Sequence, residues 1–131
     1  MFLGSLISAV ENRGKPTLIV AYGDHQASLG LEEENLSTGD LYGTEYVTWN
    51  NFGLEKEEGK TLHSYELSSQ IMNMLGYNNG YLNKLHQQKL NYGADMDDET
   101  YQRYIEYLAY DMLYGKNYVF GGVKPYEKTQ M

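Results

Sequence analysis

Apolar positions along this chain fall into one unbroken run and several periodic ones. The run is Thr17-Leu18-Ile19-Val20-Ala21-Tyr22, six residues without a charge that lead straight into Gly23-Asp24-His25. Its β-branched content predicts a strand covered on both faces, as in a parallel sheet flanked by helices. Pro16 suits the first strand position, where a missing N–H does little harm. Upstream, Leu3, Leu6, Ile7 and Val10 share one helical face, and Asn12-Arg13-Gly14 supplies a stop. Downstream, Glu45 to Trp49 predicts a second strand, ended by the turn Asn50-Asn51-Phe52-Gly53. Leu54 to Lys60 reads as a charged linker. Leu67, Ile71 and Leu75 then recur at helical spacing, with Thr61 or Ser64 as cap and Gly76 as stop. Tyr77 to Gln88 predicts a short helix. Asp97, Asp98 and Glu99 place negative charge where a helix N-terminus favours it, opening a last helix from Glu99 to Tyr114.

These elements predict a strand-rich segment over residues 1–54 and a helical segment over 61–116. The fold class is α/β, with few strands and a helical C-terminal part. One helix and one strand cannot bury both faces of a sheet, so the N-terminal segment reads as part of something larger. With 131 residues the chain is one domain at most.

Composition narrows the functions. A formal charge of −8 argues against nucleic acid or an anionic membrane surface as partner, since both call for a basic face. No apolar run reaches the roughly 18 residues of a membrane span, and Met1-Phe2-Leu3-Gly4 is too short for a signal peptide. Cysteine is absent, which removes disulfide and thiolate chemistry. Tyrosine is abundant, 14 residues in all. Those at 101, 104, 107, 110 and 114 suggest a stripe along the last helix, expected to pack in the core with hydroxyls at its rim.

Asp24 and His25 are the candidate chemistry. They follow a strand end, where open α/β sheets carry their sites, and both side chains ligate Zn²⁺ or Mn²⁺. Two residues alone do not hold a catalytic metal, because zinc sites use three protein ligands or more. Glu32-Glu33-Glu34 lacks the spacing of a calcium loop and reads as a solvated surface segment. His63, beside a helix start, and His86, on a polar helix flank, read as ordinary surface or half-buried histidines. No Gly-x-Ser-x-Gly elbow places a serine nucleophile.

Four ordered blocks give a resemblance. Lys15 to His25 resembles the C-terminal metal-binding strand of sulfatase-like phosphoglycerol transferases, the alkaline phosphatase superfamily group that includes lipoteichoic acid synthase. Tyr42 to Asn51 resembles that family's Y-x-T-P-x-x-x-W-x-N strand, with Glu45 where proline is common. Ser64 to Gly76 resembles the helix after it. Tyr107 to Lys116 resembles its Q-Y-D-x-L-Y-G-K segment. Gln26-Ala27 departs from the pair relatives often carry there. The resemblance implies an alkaline-phosphatase-like α/β sandwich, of which this chain is a C-terminal fragment. It also implies a site in which a Glu, a Thr nucleophile and an Asp-His pair hold a divalent metal. Only the pair maps, onto Asp24 and His25. The metal would be Mn²⁺ or Zn²⁺, with Mg²⁺ or Ca²⁺ as alternatives, and the site is incomplete.

By the same resemblance the parent is a metal-dependent transferase or hydrolase. It would act on phosphoglycerol lipid headgroups or sulfate esters, outside the bacterial cell membrane. Its remaining catalytic domain would be this chain's partner. No catalytic residue maps, because the nucleophile segment has no counterpart in residues 1–23, and the chain alone is expected to be inactive. A second reading, from the tyrosine-rich helix, is a non-catalytic interaction or carbohydrate-binding domain.

Overall fold

The computed structural model describes residues 2–26, 30, 32–93 and 96–122. It is a mixed α/β structure of four helices and a two-stranded sheet. The chain divides into two compact units, residues 1–57 and 58–131.

The first unit opens with α1 (Phe2–Arg13), closed by Gly14 in the left-handed region at φ 66°, as the Asn-Arg-Gly signal predicts. β1 (Leu18–Tyr22) and β2 (Tyr46–Asn50) follow, each within a residue of its expected place apart from Pro16, which lies outside the strand. Their pairing corrects the parallel expectation. The strands run antiparallel, from Leu18 opposite Asn50 to Tyr22 opposite Tyr46. Asn51 extends the ladder. Its side chain accepts from the Thr17 N–H at 2.7 Å and donates to the Lys15 carbonyl at 3.0 Å.

Nor is β1 covered on both faces. Leu18, Ile19, Val20 and Ala21 are only half-buried and Tyr22 is exposed. No residue of α1 is buried either. Among the described residues, every fully buried apolar side chain belongs to the second unit. A lone strand pair is marginal in water, and this one leaves Leu18, Ile19 and Val20 only half-buried. The protein is therefore expected to bind an apolar dye such as ANS under native conditions. Dye fluorescence no higher than that of a well-packed domain would contradict this.

The second unit holds α2 (Leu67–Met74), α3 (Tyr81–Asn91) and α4 (Asp98–Leu113). A 3₁₀ turn over Ser64–Glu66 leads into α2. The start of this segment is tied at His63 instead of Thr61 or Ser64, because the Glu66 side chain reaches back to accept from the His63 N–H at 2.8 Å. Gly76, at φ 75°, stops α2 as expected. The third helix begins four residues later than its pattern suggests, since Gly80 at φ 79° holds the chain out of helical geometry until Tyr81. Asp97 caps α4 through Thr100, whose N–H donates at 2.7 Å and whose hydroxyl donates at 3.0 Å. Those two donors hold the Asp97 carboxyl below its usual range, so the cap is kept until pH falls through that lowered value.

The core of this unit is Leu85, Met96 and Tyr101, with Ile105 and Leu108 packed against it. Past α4 the chain doubles back tightly. Asp111 accepts from the Val119 N–H at 3.0 Å, and its carbonyl accepts from the Asn117 N–H at 3.2 Å. A Cβ on Gly115 would sit 2.7 Å from the Asp111 Cα, a backbone atom that cannot swing away. Gly115→Ala is therefore expected to cost about 1–3 kcal/mol, in the range of overpacking, read as a lower urea midpoint.

Candidate functional site

At the end of β1 the Gly23 N–H donates to the Glu45 carbonyl at 3.0 Å, and the Gly23 carbonyl accepts from the Thr44 hydroxyl at 2.8 Å. The sequence assigns Gly23 the task of letting the backbone leave the strand. The structure adds close approach: a Cβ here would meet the Thr44 Cβ at 3.1 Å. Beyond Tyr22 the strand geometry is gone, so Asp24 and His25 do not point to opposite faces as adjacent strand residues would, and they turn toward each other.

Each side chain uses one polar atom on the local backbone and turns the other toward its neighbour. Asp24 Oδ1 accepts from the His25 N–H at 2.9 Å. His25 Nδ1 lies 2.8 Å from the Gln26 carbonyl, a bond that requires the proton on Nδ1. This leaves Nε2 with its lone pair, 3.6 Å from Asp24 Oδ2. Gln26 is itself held through its side-chain amide, which donates to the Gly43 carbonyl. Both side chains are open to solvent, His25 at 73% and Asp24 at 81% exposure. The Gln26 carbonyl, and secondly the Asp24 carboxylate, raise the His25 pKa above its ordinary value.

These residues fit two corners of a divalent-metal site. Two ligands ~2.0–2.2 Å from a tetrahedral ion lie ~3.4 Å apart, close to the observed spacing. The Nδ1 bond to a carbonyl is also the outer contact that commonly orients a metal-ligating imidazole. A third ligand does not come from nearby: among the described residues, no group of three His, Asp or Glu side chains converges. Glu33 and Glu34 lie in a 3₁₀ turn over Glu33–Asn35, and with Glu32 they are exposed, as expected of a solvated segment.

The second unit contains a buried polar chain that the sequence does not announce. The Tyr101 hydroxyl donates to Glu66 Oε1 at 2.6 Å and lies 2.7 Å from His86 Nδ1. With the hydroxyl proton directed at the carboxylate, the tyrosine oxygen accepts from Nδ1–H. Glu66, His86 and Tyr101 are 5%, 4% and 2% exposed. His86 is thus neither a surface nor a half-buried histidine. Burial lowers its pKa, with Glu66 opposing. The same burial, then the Glu66 contact, raises the Tyr101 pKa far above the phenol range. Tyr65 stands 5.6 Å from the His86 ring and stacks on His63 at 5.0 Å. Lys89 lies 5.7 Å over the Tyr101 ring and bridges to Asp98 at 2.7 Å.

The tyrosine stripe does not form. Tyr101 is buried, whereas Tyr104, Tyr107, Tyr110 and Tyr114 are 45% to 77% exposed. The cause is helical pitch. A three-residue step falls about 60° short of a full turn, so Tyr104, Tyr107 and Tyr110 rotate progressively away from Tyr101. The inward row is Tyr101, Ile105, Leu108 and Met112.

No described helix is long and apolar enough to cross a membrane. Comparison of the chain with protein-family models, with curated proteins and with solved structures finds no match.

Proposed function

We propose that this chain supplies the Asp-His half of a divalent-metal site in a sulfatase-like phosphoglycerol transferase or hydrolase. The observation that carries the reading is the pairing at the end of β1. Nε2 of His25 and Oδ2 of Asp24 are both left over after local hydrogen bonding, and they sit at a separation one ion can span. The order of the four resembling sequence blocks supports the family. The incomplete burial of the apolar residues of β1 supports a sheet that belongs to a larger domain. Asp24 and His25 would hold Mn²⁺ or Zn²⁺, and the bound ion would supply Lewis acidity toward a phosphate or sulfate ester oxygen. Within this chain, Gln26 orients the imidazole and fixes its proton on Nδ1, while the His25 N–H orients the carboxylate.

Titration with Mn²⁺, followed by loss of the free-ion electron paramagnetic resonance signal, tests this reading. With two ligands, binding is expected near about 1 mM, equivalent to about 4 kcal/mol. Asp24→Ala is expected to abolish it. Unchanged binding in that variant would overturn the reading.

A second reading draws on the exposed tyrosines of α4. Tyr110 and Tyr114, with ring centroids 5.9 Å apart, offer aromatic faces of the kind that stack on sugars. A carbohydrate-binding domain is expected to show oligosaccharide-dependent quenching of tyrosine fluorescence, lost in Tyr110→Ala and independent of Mn²⁺.

A further inference from the structure

We propose that the helical unit is built to loosen in mild acid, with the Glu66–Tyr101–His86 chain as its trigger. The three residues come from three elements: Glu66 from the 3₁₀ turn before α2, His86 from α3 and Tyr101 from α4. The hydrogen bonds between them join segments 15 and 35 residues apart. They lie beside the small apolar core of Leu85, Met96 and Tyr101, so a large share of what holds α3 to α4 is polar and enclosed.

His86 is the member whose side-chain type ordinarily changes charge nearest neutrality. In its neutral form it carries one ring donor, Nδ1–H, which the Tyr101 oxygen accepts. Protonation adds a positive charge and a second N–H to a side chain that is 4% exposed. Every charged or titratable group facing it bears on the outcome. From the turn, the Glu66 carboxylate favours the imidazolium, but it is already occupied by the Tyr101 hydroxyl and the His63 N–H. Tyr65 covers the ring from the same segment, with His63 stacked behind it. From α4, Tyr101 offers only its oxygen, and Asp98 is engaged by Lys89. From α3 itself, Lys89 already places a cation against Tyr101. Desolvation outweighs the Glu66 attraction, so the folded unit resists the proton. An unfolded chain does not. Stability is therefore full above the ordinary histidine value near 6.5 and is lost as pH falls from there toward the lowered folded value.

The test is amide hydrogen exchange of α3 and α4 in the full chain at about pH 7 and about pH 5, corrected for the intrinsic pH dependence of exchange. Wild type and His63→Asn are expected to lose protection in both helices. His86→Asn, which keeps a donor near the Nδ1 position and cannot titrate, is expected to retain it. Equal loss in His86→Asn and wild type would overturn the proposal. Should His86→Asn fail to fold, nuclear magnetic resonance titration of the wild-type rings decides. His86 is expected to titrate below the ordinary histidine value near 6.5, with the α3 and α4 amides shifting together with it. A His86 midpoint at or above the ordinary histidine value, or helix amides that stay unchanged through it, would equally overturn the proposal.

Discussion

Replacing Tyr101 with phenylalanine is expected to destabilise the helical unit by about 3 kcal/mol, although a single oxygen is removed. The ring remains, so apolar burial hardly changes. What changes is that Glu66 Oε1 and His86 Nδ1 both lose the hydroxyl between them, and both are inside the protein. Leaving one buried polar group unsatisfied costs about 1–3 kcal/mol, and more when it is charged. Two such groups sharing one partner do not add fully, which sets the total near the upper end for one. In a unit of this size about 3 kcal/mol corresponds to a fall in Tm of roughly 15 °C. Tyr104→Phe is the control, because Tyr104 is 45% exposed. It is expected to stay within about 0.5 kcal/mol of wild type, as surface changes usually do. A Tyr101→Phe protein that melts with the wild type would mean that the buried chain contributes nothing to stability.

The contrast between the two units shows what can be read along a sequence. Helix ends were legible because their signals are local: Gly14 and Gly76 adopt the left-handed geometry that ends a helix, and Asp97 bonds a residue three positions on. Both strands were legible from β-branched and aromatic runs. Their pairing was not, since an apolar run says that a strand is fit for burial and nothing about which strand lies beside it. The same limit hides the buried polar chain. Glu66, His86 and Tyr101 each look unremarkable among their neighbours, and only contacts across 15 and 35 residues enclose them. The tyrosines of α4 misled for a further reason. A three-residue repeat imitates an amphipathic face over one turn and then precesses off it. A true inward row follows steps of four and three, as Tyr101, Ile105, Leu108 and Met112 do. The candidate metal pair was legible in position, at the end of a strand, but its hydrogen bonding was not. That Asp24 and His25 each keep one polar atom out of the local backbone bonds follows from the turn at Gly23 and from the hold Gln26 takes on Gly43.

The second large effect concerns His25 and metal affinity. His25→Ala is expected to eliminate Mn²⁺ and Zn²⁺ binding, because one carboxylate oxygen in open solvent retains little affinity on its own. His63→Ala and His86→Ala are expected to leave it intact. The pH dependence follows from the raised pKa of His25. A protonated imidazole does not ligate, so binding is expected to weaken as pH drops through a value above 6.5, earlier than for an ordinary histidine. The most direct measurement is proton nuclear magnetic resonance of the three histidine rings during addition of Mn²⁺, whose unpaired electrons broaden the nearest signals first. The account predicts that the His25 ring resonances broaden at the lowest metal concentration, and that this broadening disappears in Asp24→Ala. Broadening of His63 or His86 ahead of His25, or broadening of His25 that survives Asp24→Ala, would contradict it.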